Sequence, residues 1–460
     1  MQRRATSALI ALVLAMSGCA SGPLDGSVWS ERSPLGRTLD TVQPSPNPKH
    51  VAVSEPAAEP SGAISLGDAL AAALLRSPAL EATGYEVRAR EAEALQAGLL
   101  PNPDLDIEFE NFGGTGEVHG FDSMETTLAL SQLVELGGKR VKRRRVAEYE
   151  TRLAGWEYEI RRIDVLSKTA ANYVGLLAAE RRLRIAIETQ ELSQRVFDAV
   201  GERVDAGKVS PVERIKARVE LAQAELERAQ TERAVAAARV RLASNWGSTS
   251  PQFDSIAGNL DVIVAPPSLE SLLAQVEQNP DIARWAAEAS LRQAEIELAL
   301  AQRIPDITVA GGMRYYSEID ETAFVAGLSM PLQIFDRNQG GIRAARLRAL
   351  QGRRLEEAAR VQTRTMVTEA FQILDAAYIS VHSTRDEILP SAELAFEAAE
   401  EAFRQGKIGA LGLLDAERTL FDAHRQLTAA LTTYHLAVIA SERLIGAPLH
   451  PDDQPQGNDQ

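Results

Sequence analysis

The stretches Pro103-Asp-Leu-Asp-Ile107 and Pro305-Asp-Ile-Thr-Val309 repeat one pattern 202 positions apart. Each follows an earlier proline by 25 positions, Pro78 in the first case and Pro280 in the second. Leu130-Ser131 recurs as Leu328-Ser329, and Gly207-Lys208-Val209 recurs as Gly406-Lys407-Ile408, at nearly the same offset. The chain is therefore a tandem duplication. Residues 64–246 form the first copy, 247–267 a linker, and 268–446 the second copy. Each copy reads as a short helix, a longer helix, two strands, a very long helix, a Gly-Lys turn and a final helix.

The segment after Pro103 alternates strictly. Leu105, Ile107 and Phe109 share one face, while Asp106, Glu108 and Glu110 share the other. In the second copy Phe324, Ala326, Leu328, Met330, Leu332 and Ile334 recur at period two, preceded by Ile307, Val309, Gly311, Met313 and Tyr315. Strands of about ten residues suit a tilted membrane crossing, although packing on a soluble core gives the same alternation. If they do cross, the apolar residues, Met330 included, face lipid and the acids face water. Four strands cannot close a barrel, and an open edge in hydrocarbon leaves amides unsatisfied. Assembly from several chains follows, with its number left open by this arithmetic.

The remainder reads as helix. Residues 138–205 hold few breakers, enough for about 100 Å at 1.5 Å per residue, and Tyr149, Leu153, Trp156, Ile160 and Ile163 step by four and three as in a coiled coil. Residues 338–405 match that length, with Pro390 expected to kink them. Residues 211–246 are too short to span a long partner alone, so they are expected to stack end to end on the helix over 79–98. The fold class is thus mainly α with a transmembrane β portion.

Composition narrows the function. The chain of 460 residues has a net charge of -15, 5% aromatic residues, six His and one Cys. That balance disfavours nucleic acid, and it permits no zinc finger or intrachain disulfide. Arg3 and Arg4 precede the apolar run 8–16, as in a secretory signal over residues 1–18. Cys19 follows Met16-Ser17-Gly18 and resembles a bacterial lipoprotein box, with Ala20 next, as in lipoproteins sorted to the outer membrane; ordinary cleavage near Ala20 is the alternative. Seven prolines between 20 and 62 make 19–63 a flexible, lipidated leader, and 447–460 reads as a disordered tail.

The order of elements, the duplication, and the motifs Gly98-Leu-Leu-Pro-Asn-Pro103, Glu135-Leu-Gly-Gly-Lys-Arg140 and Ile334-Phe-Asp-Arg-Asn-Gln-Gly340 resemble the TolC-type outer-membrane efflux family over residues 64–446. Within it they resemble the cation-efflux branch typified by CzcC, the outer-membrane part of cobalt, zinc and cadmium resistance pumps. The resemblance implies a homotrimer whose twelve strands close a β-barrel and whose coiled helices continue it as a periplasmic α-barrel. It also implies a periplasmic adaptor (membrane fusion protein) and an inner-membrane RND pump as partners. The function implied is a passive exit duct for heavy-metal cations. Drug efflux or type I secretion is the rival within the family, and a periplasmic coiled-coil scaffold or adaptor lipoprotein the rival outside it.

Candidate sites follow from these readings. The two Gly-Lys turns lack the upstream Gly and following Ser/Thr of a Walker loop. Gly207-Lys208-Val209 and Gly406-Lys407-Ile408 instead read as helix ends, and the resemblance makes them adaptor-contacting tips. Leu413-Leu414-Asp415-Ala416 resembles the family's tip motif, which implies a periplasmic gate at Asp415 with Lys407 and Gln405 at its rim and Phe403 behind. Three such carboxylates about 8 Å apart would repel by about 2 kcal/mol per pair at an effective dielectric of ~20 and attract cations; the alternative is a surface acid paired with Lys216 or Arg418. Asp106, Glu108 and Glu110 read as barrel lumen. The run Lys139, Arg140, Lys142 to Arg145 either meets anionic groups of the periplasmic leaflet or solvates a helix start. No catalytic set, tight metal site or cofactor is assembled by spacing, so an enzyme is not expected.

Overall fold

The computed structural model describes residues 59–449. The signal, Cys19, most of the leader, and the tail from 450 lie outside the described residues. In chain order the elements are β1 (Gly62–Ile64), α1 (Leu66–Arg76), α2 (Pro78–Ala97), β2 (Asp104–Glu110), β3 (Glu125–Val134), α3 (Lys139–Asp205), α4 (Pro211–Ala243), β4 (Phe253–Ile256), α5 (Leu269–Gln275), α6 (Pro280–Ala301), β5 (Ile307–Tyr316), β6 (Glu321–Ser329), α7 (Gln339–Ser383), α8 (Leu389–Arg404) and α9 (Ala410–Ile445). In both halves a short and a longer helix precede two strands, a long helical segment and a final helix.

Each copy starts helices where local chemistry permits. Ser65 and Asp68 form a reciprocal capping box before α1, with Asp68 N donating to Ser65 Oγ and Ser65 N to Asp68 Oδ2. Pro78 and Pro280 open α2 and α6, where a missing N–H costs nothing. The end-to-end stacking expected of α4 and α2 recurs in both copies. A Cβ on Gly247 would lie 3.1 Å from Pro78 Cγ, and one on Gly446 would lie 3.3 Å from Asn279 Cα. Asn279 Nδ2 seals the second joint by donating to the carbonyls of Arg443 and Leu444, which satisfies acceptors that a helix end leaves bare.

α3 spans 67 residues, about 100 Å. Its stripe Tyr149 to Ile160 is only half-buried, and the fully buried row in that stretch is Ala147, Thr151 and Ala154. Small side chains let the neighbouring helices approach, so the seam lies one position away from the large residues. Below it Ile163 is buried as expected, and Leu166 and Leu176 are buried with it.

The second long segment departs from a simple proline kink. α7 ends at Ser383, residues Thr384–Ile388 wind as a π-helical turn, and α8 follows. Pro390 has no N–H to return to the preceding turn, and the widened turn upstream absorbs the defect, with Leu389 N donating to Thr384 O.

Two segments assigned to the leader and the linker carry structure. β1, which includes Gly62 and Ala63, pairs in parallel with β4. The Tyr173 hydroxyl on α3 lies against the carbonyls of Ile64 and Ala257, and burial pushes its phenol up to about 12. Trp246 and Phe253 pack beside this joint. Of the tail, Leu449 is buried in the core shared by α3, α6, α7 and α9.

The sheet order is β2-β3-β5-β6, all antiparallel, with β2 and β6 as open edges. β6 stops at Ser329, opposite Thr308. Met330, Leu332 and Ile334 therefore lie beyond the strand, contrary to the alternation: past Thr308 only Ile307 of β5 remains, and Pro331 supplies no donor. No helix among the described residues is long and apolar enough to cross a membrane.

Candidate functional site: pore wall and helical tips

The register makes the sheet two-faced. Leu105, Ile107 and Phe109 of β2 stand opposite Leu130, Leu128 and Thr126 of β3, which stand opposite Gly311, Met313 and Tyr315 of β5, and these in turn oppose Ala326, Phe324 and Thr322 of β6. This face carries no charge, and its large residues are exposed, Leu105 to 64%, Phe324 to 77% and Leu328 to 74%. Every charged residue of the four strands lies on the opposite face: Asp104, Asp106, Glu108, Glu110, Glu125, Arg314 and Glu321. An exposed apolar face of this extent is stable against lipid and costly against water.

On the charged face, Ser131 Oγ donates to Asp106 Oδ2 at 3.0 Å. Arg314 pairs with Glu110 at 2.8 Å and Glu125 at 2.9 Å, and its Nε donates to Thr127 Oγ1. Glu108 is exposed without an ion pair among the described residues. The wall thus places six carboxylates around one guanidinium and carries a net negative field. Arg314 went unnoticed in the sequence, yet it is the one charge at an even position within 307–316, where the odd positions are apolar. Gly312 is required here, since a Cβ would lie 2.2 Å from Leu128 O.

The two tips are built alike. Gly207 and Gly406 sit at φ +68° and +74°, the left-handed region where a Cβ strains the backbone. Lys208 N reaches back to Arg203 O, and Lys407 N to Ala402 O, closing both helices identically. Lys208 and Lys407 are exposed and have no ion pair among the described residues, while Val209 and Ile408 are half-buried. Beneath them Val196, Val200, Ala217, Phe403, Ala410, Leu413 and Leu414 form one core shared by both hairpins. Arg203 crosses between them, its guanidinium 3.9 Å from the Phe403 ring centre and donating to the Phe403 carbonyl.

Asp415 is exposed at this end of α9. Neither Lys216 nor Arg418 pairs with it among the described residues; Arg418 takes Glu220 instead. Gln405 is exposed and bonds Glu401, and Phe403 is buried in the tip core. Sequence reading missed Glu417, which is 4% exposed. Its Oε1 accepts from Ser193 Oγ at 2.7 Å, and its Oε2 has no hydrogen-bond partner among the described residues. Burial pushes this carboxyl above the usual range, with the Ser193 bond opposing.

Four of the six basic residues at the start of α3 are paired within the chain: Lys139 with Asp306, Arg143 with Glu135, Arg144 with Glu148 and Arg145 with Glu297. No cluster of three or more His, Cys, Asp or Glu among the described residues is arranged to hold a metal.

The family model described as outer membrane efflux protein matches residues 69–248 and 273–447, one segment for each copy. The chain belongs to the outer membrane efflux protein family. It is 33% identical over 388 residues to the cobalt-zinc-cadmium resistance protein CzcC of Cupriavidus metallidurans, covering 84% of this chain and 91% of CzcC. It is 28% identical to the nickel-cobalt-cadmium resistance protein NccC of Alcaligenes xylosoxydans, covering 61% of this chain and 64% of NccC. Its fold matches the crystal structure of CusC with a TM-score of 0.70 at 19% identity, covering 83% of this chain and 92% of that one. An outer membrane efflux protein is a channel component seated in the outer membrane, as the resemblance in the sequence implied.

Proposed function

We propose that this outer membrane efflux protein is the passive, trimeric exit duct of a tripartite RND-type system for heavy-metal cations. The observation that carries the reading is the two-faced sheet with two open edges. Three copies joined β6 to β2 make twelve strands, turning the uncharged face to lipid and the seven charged positions to the lumen. An incomplete ring leaves an edge of bare amides in hydrocarbon at several kcal/mol each, so the closed trimer is the stable form. A net acidic wall favours cations, and the metal-resistance proteins CzcC and NccC are the relatives that support this cargo.

The long helices continue the duct into the periplasm, with Gly207-Lys208-Val209 and Gly406-Lys407-Ile408 presented to the adaptor. Asp415, without an ion pair among the described residues, forms the cation-binding constriction together with Lys407 and Gln405, and Phe403 fixes the tip from beneath. Cys19 is acylated and tethers the leader to the membrane. A duct has no use for a tight metal site, and selectivity belongs to the pump.

Deletion of the gene tests the cargo. Sensitivity to zinc, cobalt or cadmium, restored by the wild-type gene, is the expected result. Sensitivity confined to organic drugs would assign the duct to the rival within the family, and an intact strain whose product fractionates away from outer-membrane trimers would favour the scaffold.

A further inference from the structure

The two copies treat the same position in opposite ways. α3 begins after Gly138 and α7 after Asn338, both in the left-handed conformation, and both starts are rich in basic residues. At α3 four of those cations are neutralised by Asp306, Glu135, Glu148 and Glu297. At α7 none is. Arg337, Arg343 and Arg346, joined by Arg303 from the end of α6, line a recess of about 630 Å³ and have no ion pair among the described residues. Asp336, the nearest acid in sequence, accepts from Asn338 N instead.

Apart from Gln339, the rest of the recess is apolar, and it is open. Ile334 is 61% exposed and Phe335 90%. Ile334 lies five positions past Ser329, the last paired residue of β6, so the recess follows directly on the end of the sheet. Four uncompensated guanidiniums beside exposed apolar side chains repel one another and face water at a cost. An anionic amphiphile removes both penalties, because arginine binds phosphate oxygens through paired N–H groups while acyl chains cover the apolar part.

We propose that this recess is a binding site for an anionic phospholipid of the periplasmic leaflet, its phosphate held by Arg303, Arg337, Arg343 and Arg346 and its chains lying over Ile334, Phe335 and the adjoining sheet face. The inference rests on reading the sheet as the membrane wall. It assigns the second copy, and not the basic run of the first, as the lipid anchor. Each trimer then carries three such lipids, placed beside the seam where β6 meets the next copy.

The full-length trimer, delipidated in detergent, is titrated with phosphatidylglycerol and with phosphatidylcholine and read by native mass spectrometry, beside the triple variant Arg337→Gln, Arg343→Gln, Arg346→Gln. The expected result is up to three tightly held phosphatidylglycerols per wild-type trimer, a weaker phosphatidylcholine series, and a loss of about tenfold or more in apparent phosphatidylglycerol affinity in the variant. Millimolar inorganic phosphate is expected to leave the adducts in place; displacement by phosphate alone would reduce the site to a simple anion site and overturn the lipid assignment. Equal binding by wild type and variant would also overturn it. A variant that falls to monomers would assign the arginines to the neighbouring copy. The paired variant Lys139→Gln, Arg143→Gln serves as the control and is expected to retain lipid. Failure of the membrane reading is distinguishable, since wild-type protein would then neither insert in vesicles nor conduct.

Discussion

Arg203 of the first copy stacks on Phe403 of the second, 3.9 Å from guanidinium carbon to ring centre, and donates to the carbonyl of the same residue. One contact thereby ties together the two hairpins proposed to face the adaptor. Phe403→Ala is expected to open the tip by about 3 kcal/mol or more, since a buried ring is lost from a small core. Hydrogen exchange should then speed by roughly a hundredfold in 196–217 and 396–414 while the sheet is unchanged. Acceleration spread evenly over α3 and α9 would show that the tip is not a unit.

Glu417 makes stability depend on pH. Its folded carboxyl is raised by burial, so the folded chain holds the proton to higher pH than the unfolded one. Below the unfolded value, near 4.5, both states are protonated and the group has no effect. Destabilisation grows as pH rises past that value and is complete above the folded pKa. Glu417→Gln keeps an acceptor for Ser193 and removes the charge. It should raise the thermal midpoint at pH 8, by up to about 1 kcal/mol of stability, and leave it unchanged at pH 4. An equal shift at both pH values would assign the effect to packing.

Arg443 joins α9 to both copies, pairing with Asp164 of α3 and Asp281 of α6 at 2.6 Å each. Arg443→Met strands two half-exposed carboxylates and should cost about 1–3 kcal/mol. The midpoint of heat-induced loss of helical circular dichroism reads it. Adding Asp164→Asn and Asp281→Asn should recover part of the loss, and no recovery would place the effect in the Arg443 stem.

Arg314 is the single positive side chain on the acidic face of the four strands. Arg314→Gln should raise cation over anion selectivity in planar bilayers, moving the reversal potential in a potassium chloride gradient toward the potassium limit. An unmoved potential would place the selective constriction elsewhere. Asp415→Asn separates that case: it should weaken block by divalent cations added from the periplasmic side, whereas Arg314→Gln should not.

Period-two alternation made the sheet readable, because placing a charge on the wrong face of a membrane strand costs several kcal/mol and the sequence avoids it throughout 104–110 and 307–329. The end of β6 was not readable, since Met330, Leu332 and Ile334 keep the alternation after the partner strand has run out. Pro390 announced an irregularity but not its form, as the same missing N–H is accommodated by a kink or by a widened turn. Phe403 and Asp415 were singled out through resemblance. Glu417 was hidden, because one acid on a helix rich in acids carries no signal until packing shows which is enclosed. The leader's last residues and Leu449 were read as unstructured from composition, and their order depends on partners that composition does not reveal: β4 for Gly62 and Ala63, and the helical core packed around Leu449.

One face of the sheet is proposed to meet lipid and the other the aqueous lumen, and adjacent residues of β2, all exposed within one copy, separate the two. In a Cys19→Ser background, single cysteines at Leu105, Asp106, Ile107 and Glu108 are placed in trimers reconstituted in vesicles and treated with a membrane-impermeant thiol reagent. Rapid labelling is expected at 106 and 108, and protection at 105 and 107. Equal labelling at all four positions, or the reverse pattern, would contradict the two-faced wall.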